Sequence, residues 1–174
     1  NIHIVGSSGL PNMLGEVELD ACIMDGRTRR TGAVAALKHY PNPISVARRV
    51  MDELPHVLLA GEGAARFAEE MGFRRANLLT PEAKERYDQW RSHNAPADSY
   101  GTRTGYNERM YQWLQRTADT SRSAGTVDFI AMDREGNIAS GVSTSGWSWK
   151  YPGRVGDSPI IGAGNYCDNR YGAA

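Results

Sequence analysis

Five residues in the last third of the chain are of types and at spacings that could carry out acyl transfer: Gly125, Thr126, Thr144, Arg154 and Asp157. A mid-chain threonine hydroxyl is a poor nucleophile, because nothing beside it accepts its proton. A threonine at a chain end differs, since its own α-amine, with a pKa of about 7.7–8.0, can serve as the base. The amide nitrogen of an intact Gly125–Thr126 bond cannot, because its lone pair is delocalised. Chemistry by this route therefore requires a cut between Gly125 and Thr126. The Thr126 hydroxyl could make that cut itself by attacking the Gly125 carbonyl, which has no side chain in the way. A strand that simply begins with threonine reads the same locally. Thr144 stands near the end of a second strand that returns on the first, where its hydroxyl could orient that of Thr126. Arg154 and Asp157, three apart in "GRVGDSP", offer a planar fork for a carboxylate and an acceptor for an ammonium; a surface ion pair is the plainer alternative.

The elements that must hold these residues are legible as periodicities. "EVELDACIMD" (Glu16 to Asp25) alternates, with Val17, Leu19, Ala21 and Ile23 on one face and Glu18, Asp20, Cys22 and Met24 on the other. Asp25-Gly26 marks a tight turn, and Thr31 to Leu37 reads as the returning strand. Asn42 caps and Pro43 opens a helix that Pro55 stops. Its apolar face carries Ile44, Ala47, Val50, Met51 and Leu54. His56 to Gly61 reads as a short buried strand or extended link, Gly63 to Gly72 as a second helix, and Thr80-Pro81 opens a third that runs to about Ser92. From about 93 to 125 the composition turns polar, a linker with a helical patch over Asn107 to Arg116. Thr126 to Asp133 and Asn137 to Gly146 then form a hairpin, followed by a glycine-rich tail of loop and short strand. Two strand blocks with helices between them predict layered α/β architecture with antiparallel sheets.

Composition narrows the classes of function. The chain has 174 residues, 40% hydrophobic and 23% charged, sufficient for one domain with a core. Lys plus Arg equals Asp plus Glu at 20 each, which argues against a nucleic-acid surface. No apolar run is long enough to span a bilayer. Cys22 and Cys167 stand at no metal-ligand spacing from any other Cys or His and read as buried free thiols. His3, His39, His56 and His93 are scattered, so metal catalysis is not expected. "GEGAARF" after "HVLLA" begins like a dinucleotide fingerprint, but Arg66 stands where the third glycine belongs, and a plain turn is the expectation. The chain starts at Asn1 without a targeting segment, which leaves the compartment open.

"GEVELDACIMDG", "GAVAALKHYPNPISVARRVMDELPHVLLAGEGAARFA", "GTVDFIAMDREGNIASGVSTSG" and "GRVGDSPIIGAG" together resemble the threonine-type N-terminal nucleophile hydrolases. Within them the chain is most similar to the glycosylasparaginase branch, beside the plant-type asparaginases and isoaspartyl peptidases. The resemblance implies a four-layer αββα sandwich with antiparallel sheets over a single domain, 1–174. It also implies a precursor cut at Gly125–Thr126 into an α-chain portion (1–125, with the exposed linker) and the start of a β-chain (126–174). It makes Thr126 the nucleophile, Thr144 the supporting hydroxyl, Arg154 the ligand of the substrate α-carboxylate and Asp157 that of its α-amine. The substrate implied is N4-(β-N-acetylglucosaminyl)-L-asparagine, or a β-aspartyl peptide or L-asparagine. No cofactor is implied, and the cut protein is expected to pair as (αβ)2. "GLPN" and "STSG" lean toward glycosylasparaginase, while Gly125 is the residue the asparaginase siblings carry. The family has a further strand ahead of Asn1 and a Thr-Gly-x-Gly segment past Ala174 that supplies the oxyanion donor. A fragment incomplete at both ends is therefore expected, with a truncated, non-catalytic relative as the alternative from another class.

Overall fold

The computed structural model describes residues 6–94 and 125–174. Residues 95–124 of the expected linker, with its helical patch at Asn107 to Arg116, lie outside the described residues. The strands are β1 (Leu19–Asp25), β2 (Thr31–Leu37), β3 (Leu58–Ala60), β4 (Val127–Met132), β5 (Ile138–Thr144), β6 (Cys167–Asp168) and β7 (Gly172–Ala173). The helices are α1 (Pro43–Glu53), α2 (Gly61–Glu70) and α3 (Pro81–Asn94).

Both expected hairpins form, and they join into one sheet. β1 pairs antiparallel with β2 on one edge and with β5 on the other, giving the order β3-β2-β1-β5-β4. β3 departs from the antiparallel expectation. It pairs parallel to β2, because α1 carries the chain back across the sheet between them, and a parallel pair needs such a crossover. It is also an exposed edge rather than a buried strand. The described residues thus hold a mixed five-stranded sheet with a separate β6–β7 ribbon, and helices on one face.

The alternation in β1 sorts its two faces as expected. Ala21 meets Val34, Val46, Ala47 and Val50 beneath α1, with Ile23 packed against the same cluster. On the opposite face Cys22 joins Ala33 and Val142, with Ile161 from the tail packed on them. Glu18, Asp20 and Met24 are buried on that face as well, so β1 is a central strand covered on both sides. Gly32 permits the close approach of α1: a Cβ there would fall 2.2 Å from the Ala47 carbonyl oxygen. Asn42 occupies the N-cap of α1, but its side chain makes no capping bond; its carbonyl accepts the Ser45 and Val46 amides instead. The helix stops as Leu54 turns extended (φ −116°, ψ 151°) ahead of Pro55. α2 starts two residues before expectation and ends in a Schellman motif, with Gly72 at φ +78° and the Phe73 amide bonding back to Ala68.

β2 carries an irregularity that its residues do not advertise. Leu19 pairs with Leu37 but Ala21 with Val34, so Ala35 and Ala36 together oppose Asp20. Ala36 takes a left-handed φ of 50°, and its amide donates to Asp20 Oδ1 at 2.8 Å. The carboxylate thereby supplies the partner that the bulge takes from the ladder. α3 packs away from the sheet, with Tyr87 and Trp90 against Leu10, Met13 and Trp149. Trp149 stacks on Trp90 at 5.0 Å between centroids, and its amide bonds the Pro11 carbonyl. Both cysteines are buried free thiols. No helix among the described residues is long and apolar enough to cross a membrane.

Candidate active site

The β4–β5 register sets the first pair of site residues. Val127 pairs with Ser143, so one step further along the same register brings Thr126 level with Thr144. The turn that fixes this register runs from Asp133 to Asn137. Asp133 accepts the Asn137 amide on its carboxylate at 2.8 Å, and Gly136 supplies the positive φ of 82°. Gly125 and Thr126 stand just ahead of β4, half-buried and exposed respectively, whereas Thr144 is buried at the end of β5.

The Thr144 hydroxyl has both of its functions engaged. It donates to the Gly125 carbonyl at 2.7 Å and accepts the Gly146 amide at 2.9 Å. The carbonyl that a Thr126 hydroxyl would attack is thus held, and polarised, by the hydroxyl of Thr144. Arg154 and Asp157 arrive from the loop after β5. A cavity of ≈ 170 Å³ is lined by Gly125, Thr126, Thr144, Trp147, Arg154 and Asp157, so all five residues singled out in the sequence border one space.

Arg154 is half-buried, and among the described residues no ion pair joins it to Asp157 or to any other acid. Its guanidinium instead lies over the Trp147 ring, 4.4 Å from the centroid. A planar cation at a cavity wall with its charge unmatched fits an incoming carboxylate.

Other residues that support this loop were not singled out in the sequence. Glu18, buried just ahead of β1, accepts the Gly153 amide on its carboxylate at 3.1 and 3.2 Å, which fixes the residue next to Arg154. Lys150, equally buried, donates to the Glu18 carbonyl at 3.2 Å and lies 4.0 Å from its carboxylate. Burial pushes the Lys150 ammonium below its usual range; Asp20 and Glu18 oppose that push, and the charge of Arg154 adds to it. Gly9 presses against the loop from the other side, where a Cβ would fall 2.4 Å from that of Ser145. In the sequence Glu18 shows only as a polar position in an alternating strand, and Lys150 as one cation in an aromatic stretch. Their partners lie more than a hundred residues away, so no local spacing marks them. Among the described residues no group of three or more His, Cys, Asp or Glu is gathered for a metal.

A threonine behind a glycine, with an arginine and an aspartate bordering the same cavity, makes a candidate acyl-transfer site on a mixed α/β fold. The chain belongs to the asparaginase family Asparaginase_2, which matches residues 3–174. It is 42% identical over 170 residues to the N(4)-(beta-N-acetylglucosaminyl)-L-asparaginase of Elizabethkingia miricola, an alignment covering 98% of this chain and 44% of that protein. It is 41% identical over 186 residues to a putative N(4)-(beta-N-acetylglucosaminyl)-L-asparaginase of Drosophila melanogaster (98% of this chain, 47% of the relative). With the mouse enzyme of the same name it shares 38% identity over 183 residues, 98% of this chain and 53% of that one. The chain thus spans about half the length of the curated relatives it matches.

Proposed function

We propose that the protein containing this chain is an amidohydrolase that cuts itself before Thr126 and then hydrolyses the β-amide of N4-substituted asparagine. The observation that carries this reading is the gathering of Gly125, Thr126, Thr144, Arg154 and Asp157 around one cavity. The relatives at about 41% identity, named for N4-(β-N-acetylglucosaminyl)-L-asparagine, support the same substrate class.

In the first reaction the Thr126 hydroxyl adds to the Gly125 carbonyl carbon. The C–N bond breaks, and the acyl group passes from nitrogen to oxygen as an ester. Water then releases Gly125 as a carboxylate and leaves Thr126 with a free amine. In the second reaction that amine takes the hydroxyl proton as Oγ1 attacks the substrate β-carbonyl. The departing nitrogen leaves protonated, as the amine of its substituent or as ammonia. Water then hydrolyses the β-aspartyl ester and frees aspartate. Arg154 binds the α-carboxylate and Asp157 the α-ammonium, which holds the β-carbonyl over the nucleophile. The two polypeptides stay in one αββα sandwich and pair as (αβ)2.

A second reading, isoaspartyl peptidase and L-asparaginase, uses the same machinery and is favoured by Gly125 before the cut. Turnover of N-acetylglucosaminyl-asparagine against a β-aspartyl dipeptide separates the two. Thr126→Ala is expected to abolish both self-cleavage and hydrolysis, read by N-terminal sequencing of the products and by aspartate release. Processing of that variant at the wild-type rate would remove Thr126 from its role. Wild-type protein that neither cuts nor hydrolyses would make it the non-catalytic relative.

A further inference from the structure

We propose that Trp147 is a positioning residue that holds Arg154 rigid while leaving its charge uncompensated, and so sets the preference for a free α-carboxylate. This rests on the reading of Arg154 given above. The guanidinium occupies a slot with three walls. Its Cζ lies over the Trp147 ring, 4.4 Å from the centroid. A Cβ on Gly156 would fall 3.0 Å from its Nη1, and one on Gly146 3.4 Å, so two glycines leave the space it fills. No carboxylate among the described residues pairs with it.

The choice of an aromatic partner has a chemical consequence. An arginine is commonly fixed by a neighbouring carboxylate, which consumes its in-plane N–H donors and cancels its charge. An aromatic ring attracts the cation through its face and leaves those donors, which lie in the guanidinium plane, available to a ligand. Lys150 Nζ borders the same space, 3.1 Å from the absent Gly146 Cβ, but its charge is met by the buried Glu18. The cavity wall therefore presents a fixed fork that no carboxylate among the described residues occupies. A substrate whose α-carboxyl is free meets it with two parallel hydrogen bonds, whereas one whose α-carboxyl is an amide brings no charge.

The test uses the full-length protein and two ligands, L-aspartate and its α-amide, with Kd measured for each by calorimetry. Wild type is expected to prefer the free α-carboxylate, and Arg154→Ala to lose that preference. Trp147→Leu is expected to reduce the preference roughly 3- to 30-fold, the span of a cation–π contact from exposed to desolvated settings. Trp147→Phe, which keeps an aromatic face, is expected to restore most of it. Because the readout is a ratio of two affinities in one sample, a lower folded fraction does not move it. A Trp147→Leu protein with the wild-type ratio overturns the role of Trp147 and leaves that of Arg154 standing. Wild type that binds neither ligand, or Arg154→Ala with the wild-type ratio, overturns the reading of Arg154 and this inference with it.

Discussion

The hydrogen bond from Thr144 to the Gly125 carbonyl makes a quantitative demand on the proposed cutting reaction. At 2.7 Å it has the ordinary length of an O–H···O bond, and the same hydroxyl is steadied by the Gly146 amide at 2.9 Å. Thr144→Val keeps the shape and removes the donor. In the uncut chain that loss costs about 1 kcal/mol, the net worth of an ordinary hydrogen bond. When Oγ1 of Thr126 adds to the carbonyl carbon, the oxygen becomes an oxyanion, and a donor fixed on it is worth about 2.7–4 kcal/mol. Only the difference acts on the rate, about 1.7–3 kcal/mol, which corresponds to a slowing of roughly 20- to 160-fold.

The assay follows the appearance of two polypeptides by denaturing electrophoresis, with mass spectrometry to verify that the new amino terminus is Thr126. Thr144→Ser, which restores a donor but frees its rotamer, is expected to fall between Val and wild type. Far-ultraviolet circular dichroism on the same samples separates slow chemistry from misfolding. Cutting of a folded Thr144→Val protein at the parental rate would refute the idea that this bond polarises the carbonyl, because no other part of the calculation depends on the hydroxyl.

Two further outcomes test the fold around the site. Gly32→Ala drives a methyl group into the α1 backbone at Ala47 and Met51, and is expected to lower stability by about 1–3 kcal/mol in urea unfolding. Arg170 grips Asp168 with its Nη2 at 2.6 Å, and that bond holds the carboxyl down at about 2 against an ordinary value of 3.8. A depressed acid stabilises the fold above its unfolded pKa and loses that contribution as pH falls from about 4 toward 2. Arg170→Ala should therefore begin to unfold at higher pH than the parent on acid titration, and coincident acid limbs would show that the pair contributes nothing.

The sequence was readable where a pattern repeats within one element or across one turn. β1, β2, α1 and the β4–β5 hairpin follow from periods of two and 3.6 and from Pro43 and Asp133 to Asn137, whereas Asp25-Gly26 opens a longer loop, with Arg29 at φ 60°, rather than a tight two-residue turn. The hairpin turn even foretells the return of Thr144 toward Thr126, because turn length fixes register. What could not be read depends on contacts far apart in the chain. Nothing in "TGAVAAL" announces that Ala36 turns left-handed, since its partner is Asp20 across the strand pair. Nothing in "HVLLAG" says that it runs parallel to β2, since that follows from the path of α1. Glu18 and Lys150 define the loop of Arg154 from positions 132 residues apart, and the pairing of β1 with β5 that unites the two hairpins is of the same long-range kind.

The placement of the two threonines in the sheet suits the work proposed for each. Thr144 ends β5, which is paired on both sides, by β1 and by β4. A donor that must meet a developing charge without rearranging belongs on such a strand, where two ladders and a buried environment fix it. Thr126 precedes β4, which among the described residues pairs only with β5, and whose Phe129 and Met132 are largely exposed there. A residue that begins inside the chain and ends as its terminus needs room for the preceding segment to depart. Cleavage between Gly125 and Thr126 breaks none of the β4–β5 pairs, since they begin at Val127. It does free Gly125 from the peptide that kept its carbonyl beneath the Thr144 hydroxyl. That donor, with its Gly146 partner still in place, is then available to the Thr126 hydroxyl across the same register. One fixed hydroxyl can thus serve the proposed cutting step and the hydrolytic step in turn, and because the β4–β5 pairs begin at Val127 the exchange leaves that ladder intact.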